Sequence, residues 1–142
     1  MERERIPPGE DPQFHLKLGR GSLSDVEFTV QLLQLQHGGE QATLRVPGTM
    51  AALRALEEAR LLTGPDAASL AASYRFCERT RNALHLLDGR PSDSLPVHAP
   101  DLERLGRRLG YVHRPEAALR DDYRRRTRRA RRTVEHLFYG TR

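Results

Sequence analysis

Cysteine and lysine are nearly missing from these 142 residues: Cys77 and Lys17 are single occurrences. One cysteine excludes an internal disulfide and is compatible with a reducing cytosol, and Cys77 itself reads as a small buried helix residue. No apolar run is long enough to span a membrane, and Met1-Glu2-Arg3-Glu4-Arg5 is not a signal peptide, so a cytoplasmic location without membrane partners is expected. The histidines at 15, 37, 85, 98, 113 and 136 form no i,i+4 pair and meet no cysteine cluster, so no metal site is expected. Neither a Walker A pattern nor a nucleophile elbow occurs. Strands have almost no room.

What is present is helical punctuation. With 37% hydrophobic and 30% charged residues the chain reads as one globular, rather polar domain. Residues 1–13 carry Pro7, Pro8, Gly9 and Pro12 and read as an extended arm, leaving 14–142 as the helical domain. A short extended segment through Leu16-Lys17-Leu18 leads into a turn at Gly19 and Gly21, whose amides are expected to lie uncovered before a helix start, where a negative group could sit. Ser24 and Glu27 have capping-box spacing, so helix is favoured from about Ser24 to His37. The alternation of Val26, Phe28, Val30 and Leu32 suggests a strand, but Leu33 breaks it and the run is too long.

Later boundaries follow the same logic. Thr49 can cap a second helix through Arg60, with Leu53 and Leu56 buried and Leu61-Leu62 packing the turn. Thr63-Gly64-Pro65-Asp66 starts a third helix to about Asp88, ended by Gly89, with Leu70, Tyr74, Cys77 and Leu84 on one stripe. A fourth begins near Asp101 and closes at Gly110, and Pro115 opens a fifth to about Tyr139. The fold expected is an all-α bundle of about five helices.

The last helix packs seven arginines into residues 124–132. Nucleic-acid binding is one reading. Against it, Leu119, Tyr123, Ala130, Val134 and Leu137 keep an apolar stripe, and Asp121, Asp122 and Glu135 lie within helical reach. No stacking aromatics interleave the run, and all but one of the 24 Lys and Arg residues are arginine, a bias that needs no functional cause. A solvated face or a protein contact is favoured.

Residues Lys17 to Gln31 resemble the Lys-x-x-x-Gly-Gly-Leu-x-Asp-Ile/Val-Glu-Phe-x-x-Gln motif of bacterial glutamine synthetase adenylyltransferases. Tyr74-Arg75-Phe76, Ser94-Leu95-Pro96, Leu109-Gly110-Tyr111 and Tyr123-Arg124-Arg125 are similar to later signposts of that family, in the same order. Ser22 replaces the second glycine; were a positive φ needed there, it would cost about 1 kcal/mol. The resemblance implies the helical segment that follows the second nucleotidyltransferase core, without the core's Asp-x-Asp metal signature. The complete enzyme would use ATP and Mg2+ to transfer AMP to a tyrosine of glutamine synthetase. Its partners would be glutamine synthetase, the PII signalling protein and the missing upstream core.

By that resemblance no catalytic or metal residue lies in this chain, which should be inactive alone. Lys17, Gly19, Gly21, Asp25 and Glu27 would lie near the nucleotide phosphates. Asp25 and Glu27 are about 200° apart on a helix, so Asp25 is expected to face the cleft with Lys17 while Glu27 serves the cap. The alternatives are a stand-alone helical interaction module or, less favoured, an arginine-rich nucleic-acid binder.

Overall fold

The computed structural model describes residues 14–89 and 92–140; the expected arm at 1–13 lies outside them. Five α-helices follow in order among the described residues: α1 Leu23–His37, α2 Thr49–Glu58, α3 Gly64–Asp88, α4 Ala99–Arg108 and α5 Pro115–Tyr139. A 3-10 turn, Ala42–Leu44, sits in the α1–α2 loop. The only extended pairing among the described residues is a single antiparallel bridge between His15 and Ser94. Leu16, Lys17 and Leu18 form a turn rather than the expected extended segment, because the helix-proximal amides fold back onto them.

The two long helices start and stop where local chemistry says they should. Thr63 accepts a hydrogen bond from the Asp66 amide at 3.2 Å, capping α3, and Pro65 supplies a preset φ in its first turn. Gly89, at φ 67°, ends the helix in the left-handed conformation that glycine adopts without a Cβ penalty. Pro115 opens α5 in the same way that Pro65 serves α3.

The short-helix caps differ from expectation. The N-cap of α1 is Ser22, not Ser24, and no side chain bonds across that cap, so Ser24 and Glu27 do not form a capping box. The N-cap of α2 is Gly48 at φ 90°, which makes Thr49 the first helical residue. This helix also stops at Glu58, and Arg60 takes a left-handed φ of 61° where further helix was expected.

Helix α5 lies along α3 and against α4, while α1 packs on α2 and α3. One core cluster joins Val26, Val30, Leu53, Leu56, Leu70 and Val134. The second joins Leu16, Phe76, Cys77, Leu84, Leu105 and Tyr123, so α3 and α5 run through both. Each fully buried leucine here contributes roughly 2 kcal/mol of hydrophobic stabilisation. Cys77 is buried as expected; burial pushes its thiol up to about 11, against weaker opposing hydrogen bonds from Ser22 and Ser73.

Candidate functional site

The glycine turn before α1 is braced from within and from across the bundle. Buried His15 accepts, through Nδ1, the amides of Lys17 at 3.3 Å and Leu18 at 2.9 Å. Its carbonyl accepts the Gly19 amide at 2.9 Å. The Ser22, Leu23 and Ser24 amides return to the carbonyls of Gly19, Leu16 and Lys17. Gly21 donates to Asp25 Oδ2 at 2.7 Å, and its carbonyl accepts the buried Ser73 hydroxyl. The amides of Gly19 and Gly21 are therefore engaged, not uncovered as expected.

Helix α5 supplies the other half of the brace. Tyr123, Thr127 and Arg131, at i, i+4 and i+8, fall on one face of the helix and meet the loop one after another. The Tyr123 hydroxyl donates to the His15 carbonyl at 3.2 Å and lies 3.1 Å from the Ser22 hydroxyl. At Gly21 the backbone comes so close to α5 that an added Cβ would stand 2.0 Å from the Thr127 carbonyl oxygen. Arg131 Nη1 pairs with Asp25 Oδ2 at 3.0 Å, and its Nε bonds Glu135 at 3.1 Å. Burial works against the charge of Arg131, but Asp25 beside it outweighs this and the guanidinium pKa is raised.

Each expected site residue can now be placed. Asp25, third in α1, reaches back to Gly21 and across to Arg131 and so takes the N-terminal role assigned to Glu27. Glu27 is half-buried on another face, near Tyr74. The Tyr74 phenol pKa is raised, mainly by burial, with the charges of Glu27 and Glu78 adding to it. Lys17 is exposed at the turn. Ser22 has φ −89°, so its replacement of the family's glycine carries no left-handed strain.

Sequence reasoning did not assign His15, Ser73, Thr127 and Arg131 to this loop. For the last two, the four-residue spacing from Tyr123 was the available signal, hidden inside a run of arginines. Four of the seven arginines in 124–132 have partners: Arg124 stacks over the Phe14 ring at 5.1 Å, Arg125 and Arg126 hold Asp122, and Arg131 holds Asp25.

Asp122 is the electrostatic centre of the α4–α5 end. Tyr111 donates to Oδ2, and Arg125 and Arg126 donate to Oδ1, the latter at 3.0 Å. Burial alone would raise this carboxyl, but Tyr111 and the two arginines outweigh it, and the pKa is lowered. Burial, followed by the same Asp122 contact, raises the Tyr111 phenol. A lowered folded-state pKa stabilises fully above the ordinary carboxylate range and is lost as pH falls through the folded value. Thermal unfolding of wild type and Asp122→Asn should therefore differ most near neutrality, with the gap closing below about pH 4. A gap that stays constant with pH would remove the charge from this account.

Among the described residues, no group of three or more His, Cys, Asp or Glu side chains could hold a metal ion, and no helix is long and apolar enough to cross a membrane.

The family model described as GlnD PII-uridylyltransferase matches residues 3–140. A bifunctional glutamine synthetase adenylyltransferase/adenylyl-removing enzyme of Streptomyces avermitilis is 52% identical over 140 residues, covering 99% of this chain and 14% of the relative. The Streptomyces coelicolor enzyme of the same description is 48% identical, and that of Leifsonia xyli 44%, each with the same 99% and 14% coverage. The chain thus spans about 14% of the length of the curated relatives it matches. A match over nearly every residue places this helical bundle, with its braced glycine turn, in the GlnD PII-uridylyltransferase family.

Proposed function

We propose that this chain is the helical segment of a glutamine synthetase adenylyltransferase, and that it completes a nucleotide cleft whose catalytic groups lie in another part of the enzyme. The similarity over 99% of the chain to 14% of such an enzyme carries this reading. The complete enzyme would transfer AMP from ATP to a tyrosine of glutamine synthetase in the cytoplasm, with the PII signalling protein as a further partner.

The residues present do not fit a Mg2+ site, because Asp25 is already committed to Gly21 and Arg131 and no carboxylate cluster exists among the described residues. The loop also does not offer a ready phosphate cradle, since its glycine amides have intrachain acceptors. Exposed Lys17 is the member of the set free to approach a phosphate as a point charge. In this reading Gly19, Gly21 and Asp25 set its position, and Glu27 lies on the adjoining face.

The test is adenylylation of purified glutamine synthetase with labelled ATP and Mg2+. This chain is assayed alone and then mixed with the Streptomyces avermitilis enzyme from which the matching segment has been deleted. Transfer is expected only in the mixture, and Lys17→Ala should lower it about tenfold or more without changing the melting temperature. Transfer by the chain alone, or none in a mixture whose components are folded, would overturn the reading.

A further inference from the structure

The arginines between 124 and 132 that the fold does not use point the same way. Arg128, Arg129 and Arg132 are exposed and make no ion pair or hydrogen bond with the described residues. With Arg125, whose side chain is 61% exposed despite its bond to Asp122, they occupy i, i+3, i+4 and i+7, a single helical stripe. Arg125 and Arg129 of this stripe, together with Arg126, form one wall of a groove of about 700 Å³ against the first half of α3, where Pro65, Ala68 and Ala72 make the floor. The groove continues past Arg128 and Arg132 into adjoining hollows.

Floor and wall select the same occupant. Inorganic phosphate would satisfy the guanidinium forks but leave the alanine floor uncovered. A nucleic acid would meet no aromatic side chain along the lining, and Asp121 and Asp66 interrupt the positive surface at its margins. An amphipathic helix satisfies both features. Arg125 to Arg132 span about 10 Å along the axis, the rise that separates carboxylates at i and i+7 on a second helix, while small apolar side chains between them would rest on Ala68 and Ala72. Arginine binds carboxylates through paired donors, which favours this pairing over a diffuse charge contact. We infer that the α3–α5 groove is a docking site for an acidic amphipathic helix of a partner protein. This does not rest on the adenylyltransferase reading, because it needs neither nucleotide nor glutamine synthetase.

Fluorescence anisotropy with the full chain tests it. The probes are a labelled helical peptide with glutamates at i, i+3, i+4 and i+7 and alanines between, the same peptide with lysines for glutamates, inorganic tripolyphosphate as competitor, and a labelled DNA duplex. The acidic peptide should bind, more weakly as salt rises, and the lysine peptide should not. The double variant Arg128→Glu/Arg132→Glu should weaken binding about tenfold or more, whereas Arg108→Glu on α4 should leave it unchanged. Should the double variant misfold, Ala68→Gln carries the test: filling the floor should weaken the peptide and spare tripolyphosphate. No peptide binding, binding indifferent to both variants, or a DNA duplex or tripolyphosphate that binds as tightly as the peptide would each overturn the inference.

Discussion

Gly21→Ala is expected to destabilise the protein by roughly 3–5 kcal/mol, combining a left-handed backbone penalty with overpacking against a rigid neighbour. Gly21 sits at φ 74°, and its missing Cβ is the space that lets the loop touch α5: the nearest atom is a backbone oxygen, Thr127 O, at 2.0 Å. A side chain in that position could rotate away. A helix carbonyl cannot move without breaking the α3–α5 packing. Two other glycines separate the causes. At Gly89, φ is 67° but nothing lies within 4 Å, so Gly89→Ala should cost only about 1 kcal/mol of backbone strain. At Gly39 neither a positive φ nor a near neighbour exists, and Gly39→Ala should be close to neutral. Urea unfolding of the three variants gives the order directly. If Gly21→Ala and Gly89→Ala cost the same, the close approach to Thr127 is not a constraint.

The ordering of those glycines also shows what could be read beforehand. The long helices were legible because their ends are set by residues next to them in the chain: Thr63 with Asp66, Pro115 at the first turn, Gly89 after the last. The caps of α1 and α2 were not, because neither N-cap residue makes a side-chain capping hydrogen bond. Ser22 spends its hydroxyl on Tyr123, 101 residues away, and Gly48 enters α2 with a φ of 90° instead of a side-chain cap. The all-α class survives such errors, since it depends on apolar periodicity over whole helices and not on one boundary.

The candidate site was legible as a location and not as a mechanism. The motif from Lys17 to Glu27 drew attention to the right turn, yet the partner of Asp25 is Arg131, 106 residues on, within a run of similar residues. The four-residue spacing from Tyr123 sets Arg131 apart from Arg128 and Arg132, which face outward, but nothing local identifies Asp25 as its partner. Only the register of α5 against α1 does. The same register explains why the amides of Gly19 and Gly21 are engaged: a loop pressed on both sides by buried side chains cannot leave polar groups unsatisfied without a cost of about 1–3 kcal/mol each.

Tyr123 is where the brace concentrates, and truncating it should have an effect as large as filling Gly21. The residue is 1% exposed, with the Phe14 and Phe76 ring centroids at 5.6 and 6.3 Å. Tyr123→Ala should cost about 4 kcal/mol, because the space left between α3, α5 and the loop is walled by helices that cannot collapse into it. Tyr123→Phe isolates the hydroxyl. It keeps the rings packed but leaves the Ser22 hydroxyl and the His15 carbonyl without their shared partner, at about 1–2 kcal/mol. The two variants should also differ in where they loosen the protein. In Tyr123→Phe, faster amide hydrogen exchange should be confined to Lys17, Leu18 and Gly19, since His15 Nδ1 and its carbonyl accept those amides. In Tyr123→Ala the acceleration should extend into α3 around Phe76. Native exchange at Leu18 and Gly19 in Tyr123→Phe, with wild-type stability, would show that the turn holds itself and that α5 merely lies beside it.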